Sequence, residues 1–298
     1  MNKTRRNLLK SIALTPFVLN TNKLIAFSKD AKPAPNRLQY SINAYSFNSE
    51  LRSGEMTFFD MMEFCAEIGM DAVDLTGYYF SSYPQIPENK ALFALKRKAL
   101  DLGLDIAWTG VRNNFVTPDV NSRNSDIELI KNWLDASSKL GASIMRVFTG
   151  RNKSEEFTKD EIKKWLVKDY KTCADFGEQY GVIVGLQNHD EFLFTSDEII
   201  DIIKRVNSDW FGLVLDCGSL PSSNTYEEME KLAPYANYWF VKEHVKTKDS
   251  TKVPADLKRI AKIIKNSNFQ GYVSFESLQE GNTKEIIKDM FSTFKSAL

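Results

Sequence analysis

From residue 38 to its C-terminus the chain repeats one unit eight times: a short apolar run of strand length, then a stretch of helical spacing. Runs read as strands lie at 39–45, 72–75, 105–109, 143–148, 182–189, 212–216, 238–244 and 271–276. Helical spacing follows each of them, at 57–68, 89–102, 126–140, 159–180, 196–206, 225–232, 258–266 and 283–294. In the first helical stretch Phe58, Met61, Met62, Cys65 and Ile68 share one face. Strands that are apolar throughout and separated by helices read as a parallel sheet covered on its outside, with chemistry at the C-terminal strand ends.

Two architectures satisfy that alternation, an open doubly wound sheet and a closed (β/α)8 barrel. The open sheet carries a glycine-rich phosphate turn after its first strand. Here Ser46-Phe47-Asn48-Ser49 follows instead, which favours the closed barrel. The chain has 298 residues, 43% of them hydrophobic, so one barrel of about 250 residues accounts for nearly all of it. The expected layout is a segment of 1–30 set apart from a barrel over 36–298. Thirty-nine basic residues balance 39 acidic ones, so no global field draws nucleic acid or an anionic membrane, and a small-molecule ligand fits better. Cys65, Cys173 and Cys217 are odd in number and widely spaced, which points to buried thiols rather than a disulfide framework or a zinc cluster.

The first thirty residues read as an address. Thr4-Arg5-Arg6-Asn7-Leu8-Leu9-Lys10 leads into a modestly apolar stretch, 11–19, too short to span a bilayer. This pattern resembles a twin-arginine export signal and implies a periplasmic location. No later segment is long and apolar enough for a transmembrane helix.

Four strand ends in the second half concentrate the polar groups. They are Gly185-Leu186-Gln187-Asn188-His189, Leu213-Val214-Leu215-Asp216, Phe240-Val241-Lys242-Glu243-His244 and Val273-Ser274-Phe275-Glu276. Asp216 and Glu276 end or interrupt apolar runs, where a carboxylate without a partner is costly, so a site is the expected reason for them. Strand alternation puts Gly185, Gln187 and His189 on one face, and Phe240, Lys242 and His244 on another that also faces the barrel mouth. His189 and His244 are the two histidines of the chain. Lys242, at a strand end, is placed to steady a developing oxyanion or exchange protons.

These serial strand ends resemble the sugar phosphate isomerase/epimerase superfamily, the xylose isomerase-like TIM barrels, over roughly residues 38–298. The resemblance implies a divalent metal, Mn2+, Mg2+ or Zn2+, held by a Glu after strand five, an Asp after strand six, a His in a His-x-Lys-Asp segment at strand seven and a Glu after strand eight. The matching positions here are Gln187, Asp216, Phe240 and Glu276. Gln187, Asp216 and Glu276 are thus the candidate metal ligands. Gln187 brings an amide oxygen without charge and Phe240 brings no donor, so metal affinity must fall unless something compensates.

The first half offers shape: Asn43, Tyr45, Trp108, Asn114 and Arg146, together with His244, are candidate substrate-binding residues, aromatics for sugar faces and amides for hydroxyls. Asp74 resembles the acidic residue many barrels carry after strand two; the alternative for it is a structural pair with Arg146. The strand-end residues and the resemblance together point to an isomerase or epimerase that abstracts a proton next to a carbonyl of a sugar or keto-sugar, with His189, Lys242 and Glu276 as the catalytic set: a base among His189 and Glu276, and the enediolate steadied by Lys242 and any metal held by Asp216, Glu276 and Gln187. Two alternatives stay open. One is a lyase or hydratase acting on 3-keto-glycosides; the other is a non-catalytic carbohydrate-binding barrel. A nuclease with a histidine-rich trinuclear zinc cluster is disfavoured, because two histidines cannot build one.

Overall fold

The computed structural model describes residues 37–151 and 154–298. The leader-like motif Thr4 to Lys10 lies outside the described residues. Eight parallel strands close a barrel: β1 (Leu38–Ile42), β2 (Ala72–Asp74), β3 (Asp105–Gly110), β4 (Ile144–Val147), β5 (Ile183–Gln187), β6 (Phe211–Asp216), β7 (Ala236–Lys242) and β10 (Gly271–Glu276). Each pairs with its sequence neighbour in the barrel, and β10 pairs with β1 in the register Leu38↔Gly271 to Ile42↔Phe275, which closes the ring. A two-stranded antiparallel hairpin, β8 (His244–Lys246) and β9 (Lys252–Pro254), interrupts the sequence order between β7 and β10. The expected α/β barrel is therefore present, and the hairpin is an addition to it.

Nine α-helices occur among the described residues: α1 (Asn48–Ser53), α2 (Phe58–Glu67), α3 (Asn89–Leu102), α4 (Val120–Leu140), α5 (Lys159–Tyr180), α6 (Ser196–Val206), α7 (Thr225–Leu232), α8 (Leu257–Asn266) and α9 (Thr283–Lys295). Local chemistry sets their starts. Thr57, Thr158 and Thr195 each accept a bond from the backbone three residues on, while Asp60, Glu161 and Glu198 reach back to the threonine's own N–H, a reciprocal cap that fixes the first turn. The main apolar cluster lies between helices and strands; a second fills the barrel interior with Ala72, Ala107, Trp108, Ile144, Val214, Tyr238 and Phe240. Gly185 makes room for it, since a Cβ there would sit 2.7 Å from a Val214 methyl. Everything polar described below sits above this plug, at the C-terminal ends of the strands. No helix among the described residues is long and apolar enough to cross a membrane.

Candidate active site

A cavity of about 300 Å3 opens at the C-terminal face of the barrel. Its floor is made by Gln187, Lys242 and Glu276, ends of β5, β7 and β10, and by Asn43 after β1. Lys242 Nζ is the hub: it lies 2.8 Å from Asp216 Oδ2 and 3.1 Å from Glu276 Oε1, with all three side chains buried. Asp216 is saturated. Its Oδ2 accepts from Lys242, from Gln187 Nε2 (2.7 Å) and from Ser219 Oγ (2.9 Å), and its Oδ1 accepts from the Gly218 N–H (2.9 Å). The backbone under it is clamped as well, because the Asn188 amide donates to the Asp216 carbonyl (2.9 Å) and accepts its N–H (2.8 Å). Glu276 instead faces the cavity, and its Oε2 accepts a hydrogen bond from Asn43 Nδ2.

The charges follow from this geometry. Burial is the largest single influence on the Asp216 carboxyl and would raise it, but the Lys242 ammonium, His189 and the hydrogen bonds from Lys242 and Gln187 together hold it below the usual carboxylate range. For Glu276 burial wins over Lys242, and its carboxyl is raised. Burial works against the Lys242 charge, yet the coulombic pull of Asp216 and Glu276 more than offsets it, so Lys242 stays protonated. The floor thus holds a fixed cation, a committed anion beneath it and a carboxylate of raised proton affinity on the cavity side.

His189 also lines the cavity, with Nδ1 3.2 Å from Glu191 Oε1, and the same carboxylate oxygen accepts from Arg151 Nε at 2.5 Å. Burial opposes the Glu191 charge, but His189 and Arg151 together lower its carboxyl. His189 adds a downward pull on both Asp216 and Glu276, although the Glu276 carboxyl remains raised.

Asn43, Tyr45, Asn114, Arg146, Gln187, His189, Lys242 and Glu276 are brought together on the cavity wall, as their strand-end positions suggest. Asp216 lies just beneath, reached through Lys242. Trp108 and His244 are placed elsewhere. Trp108 is fully buried in the interior plug, its ring 4.6 Å from that of Phe240 and 5.6 Å from that of Tyr238, so it packs rather than offering a face to a sugar. His244 leaves the expected face because β7 stops at Lys242 and the chain turns into the hairpin; its Nδ1 points to Glu243 Oε1 at 3.4 Å. Asp74 does not pair with Arg146. Its carboxylate accepts from the Ala44 N–H and from Thr76 Oγ1, each at 2.9 Å. Tyr78, Arg112 and Glu191 are wall residues that periodicity does not reveal, since they stand on a 3-10 turn after β2 and on the loops after β3 and β5; Phe148, the last residue of the expected run 143–148, lies just past β4 and lines the same wall.

A divalent cation does not fit this donor set as the side chains stand. Gln187 turns its amide nitrogen to Asp216, Phe240 is buried against aromatic rings, and Lys242 already places a positive charge between Asp216 and Glu276. No group of three or more His, Cys, Asp or Glu converges as a ligand set among the described residues. Lys242 instead sets an ammonium among these side chains, at the place of the lysine in the family's His-x-Lys-Asp segment.

Solved structures of similar shape include a D-psicose 3-epimerase from Clostridium cellulolyticum H10 with D-tagatose (16% identity, 87% of this chain and 99% of that one, TM-score 0.72). A 3-keto-D-glucoside 4-epimerase from E. coli is similar over 88% of this chain and 99% of its own, at 12% identity and a TM-score of 0.68. A probable 3-DHS dehydratase from Bacillus anthracis matches with 18% identity, 86% and 98% coverage, and a TM-score of 0.67. At these identities the likeness is one of fold. No curated protein matches the chain. The model of one sequence family, described as the xylose isomerase-like TIM barrel, matches residues 62–297, and the chain belongs to that family.

Proposed function

We propose that this barrel is an enzyme that moves a proton next to the carbonyl of a sugar or keto-sugar, giving an isomer or epimer. The observation that carries the reading is the Lys242 ammonium, bonded to Asp216 and Glu276 at the floor of a sugar-sized cavity. Glu276 takes the α-proton as general base. The C–H electron pair becomes the new C=C bond, and the carbonyl π pair moves onto oxygen as an enediolate, next to Lys242. Because that ammonium is anchored by Asp216, it needs no reorganisation as the charge develops. His189, on the same cavity, returns a proton to the carbon from another direction, which yields the epimer, or to its neighbour, which yields the isomer.

A second reading uses the same floor. If the enediolate expels a β-substituent, with the leaving group protonated by His189, the outcome is a lyase or dehydratase acting on 3-keto-glycosides. The lack of a fitting metal set favours such substrates, since an oxidised sugar is acidic at its α-carbon and needs less help. A structural neighbour acts on a 3-keto-D-glucoside and another is a probable dehydratase, which supports keeping both outcomes under one site. The twin-arginine-like leader adds export to the periplasm to the proposal; retention of the full chain in the cytoplasmic fraction of its cells would sink that part.

The test is NMR in D2O of D-psicose, D-fructose and a 3-keto-glucoside incubated with the purified chain. Deuterium is expected at the carbon next to the carbonyl of at least one of them, at a rate that falls roughly 100- to 10,000-fold in Glu276→Gln. A folded protein that exchanges no α-proton overturns the enzyme reading, and saturable sugar binding without exchange favours a carbohydrate-binding barrel instead.

A further inference from the structure

The cavity holds more positive charge than its own carboxylates neutralise. Lys242 is matched by Asp216 and Glu276, and Arg151 by Glu191. Arg146 and Arg112, on the opposite wall, have no carboxylate within 4.0 Å among the described residues. Arg146 is the telling one, because it is a 2% exposed guanidinium at the end of β4. Its Nη1 donates to the Val111 carbonyl at 3.2 Å and its Nη2 to the Tyr78 hydroxyl at 3.3 Å, while its Nε is buried with no partner. A buried cation whose fork is filled only by a carbonyl and a phenol is costly unless something completes it.

Its surroundings hold the charge in place without cancelling it. The guanidinium carbon lies 4.0 Å from the Phe148 ring centre, 5.2 Å from that of Trp108 and 5.6 Å from that of Tyr78. Gly110 supplies the remaining clearance, since a Cβ there would stand 2.9 Å from Arg146 Nε. Arg112 lies over the same Tyr78 ring at 5.0 Å, so one aromatic ring carries both unmatched guanidiniums at the cavity wall. Asp74, whose charge Arg146 feels, is spent on Ala44 and Thr76.

We propose that this end of the cavity is an anion subsite and that the substrate is a keto-sugar acid: its carboxylate lies against Arg146 and Arg112 while its carbonyl lies at Lys242 and Glu276. This rests on the carbohydrate reading above and narrows it to an acidic member of that class. A planar carboxylate matches the remaining N–H groups of a guanidinium held flat by rings, and a single negative charge suits two cations already sharing a site with Glu191 and Glu276.

Isothermal titration of D-glucuronate, D-glucose 6-phosphate and D-glucose into the full chain tests it, with Arg146→Met and Arg112→Met as variants and circular dichroism to check folding. Glucuronate is expected to bind roughly 10- to 100-fold tighter than glucose, as a charge-assisted pair of hydrogen bonds would give. That preference should collapse toward unity in either folded variant. If Arg146→Met fails to fold, the exposed Arg112→Met alone decides the outcome. Equal binding of glucose and glucuronate, a preference confined to the phosphate, or a preference that survives in the folded variants overturns the inference and leaves the carbohydrate reading standing. Binding of none of the three overturns the inference and leaves the carbohydrate reading to the α-proton exchange test above.

Discussion

Lys242 ties two buried carboxylates into one floor. Its ammonium completes two carboxylates that would otherwise be buried and uncompensated, so Lys242→Met should do more than slow chemistry. A loss of about 3–5 kcal/mol in unfolding free energy is expected, read by urea denaturation at neutral pH, as for any buried pair stripped of one partner. A variant as stable as the parent would mean that Asp216 and Glu276 do not depend on this cation. Asp74 is a different residue-scale case. Burial pushes its carboxyl up to about 7, against the pull of the Ala44 N–H, Thr76 and Arg146. The folded state then binds this proton more tightly than the unfolded chain, whose carboxyl titrates near 3.8, so stability falls as pH rises between those values. Asp74→Asn removes that dependence. The stability of the parent relative to the variant should drop by up to about 4 kcal/mol from about pH 4 to about pH 7, roughly three units at about 1.36 kcal/mol each, and parallel pH profiles would refute the assignment.

Among the elements, β6 and β7 cooperate through a gap rather than a contact. Gly218 follows β6, and a Cβ on it would lie 2.5 Å from Lys242 Cδ and 3.2 Å from the His244 carbonyl oxygen. Its hydrogen therefore decides where the lysine stem runs. Gly218→Ala should push Lys242 off Asp216 at a cost of about 1–3 kcal/mol and with loss of α-proton exchange, whereas an unchanged exchange rate would show that the stem has another route. Much of this was legible in the sequence. Apolar runs closed by Asp216 and Glu276 located β6 and β10, since a carboxylate at the end of such a strand is too costly to bury without a cation or a ligand beside it, and β10 has the expected bounds 271–276. The end of β7 was not legible to the same depth. Alternation in the sequence continues through His244, but nothing local announces that the ladder stops at Lys242 and that Lys252–Pro254 returns as a hairpin partner. The Arg146 environment was hidden for a related reason: its rings and its glycine come from β3, the loop after β4 and the loop after β2, contacts that only the closed barrel creates.

At the scale of the whole molecule, the cavity floor rests on the interior plug, and the position where the family expects a metal-binding histidine belongs to that plug. Phe240 is fully buried, edge-on to Trp108 at 4.6 Å and to Tyr238 at 5.5 Å between ring centres. Tyr238 in turn shares a hydrogen bond of 2.7 Å with Ser41 of β1, so the plug ties β7 to the strand that closes the barrel. A side chain given over to packing here strengthens closure, while Lys242, two residues along the same strand and the counterpart of the lysine in the family's His-x-Lys-Asp segment, sets its ammonium one layer up against Asp216 and Glu276. Phe240→Ala should open a cavity under the floor and cost about 3–5 kcal/mol, the usual range for a buried phenylalanine. Because the plug spans strands from opposite sides of the ring, the loss should appear as one cooperative shift in the denaturation midpoint, seen alike by tryptophan fluorescence and far-ultraviolet circular dichroism. A variant in which fluorescence changes well before the circular dichroism would mean that the floor can loosen while the barrel stays closed, and that the plug serves the site more than the fold.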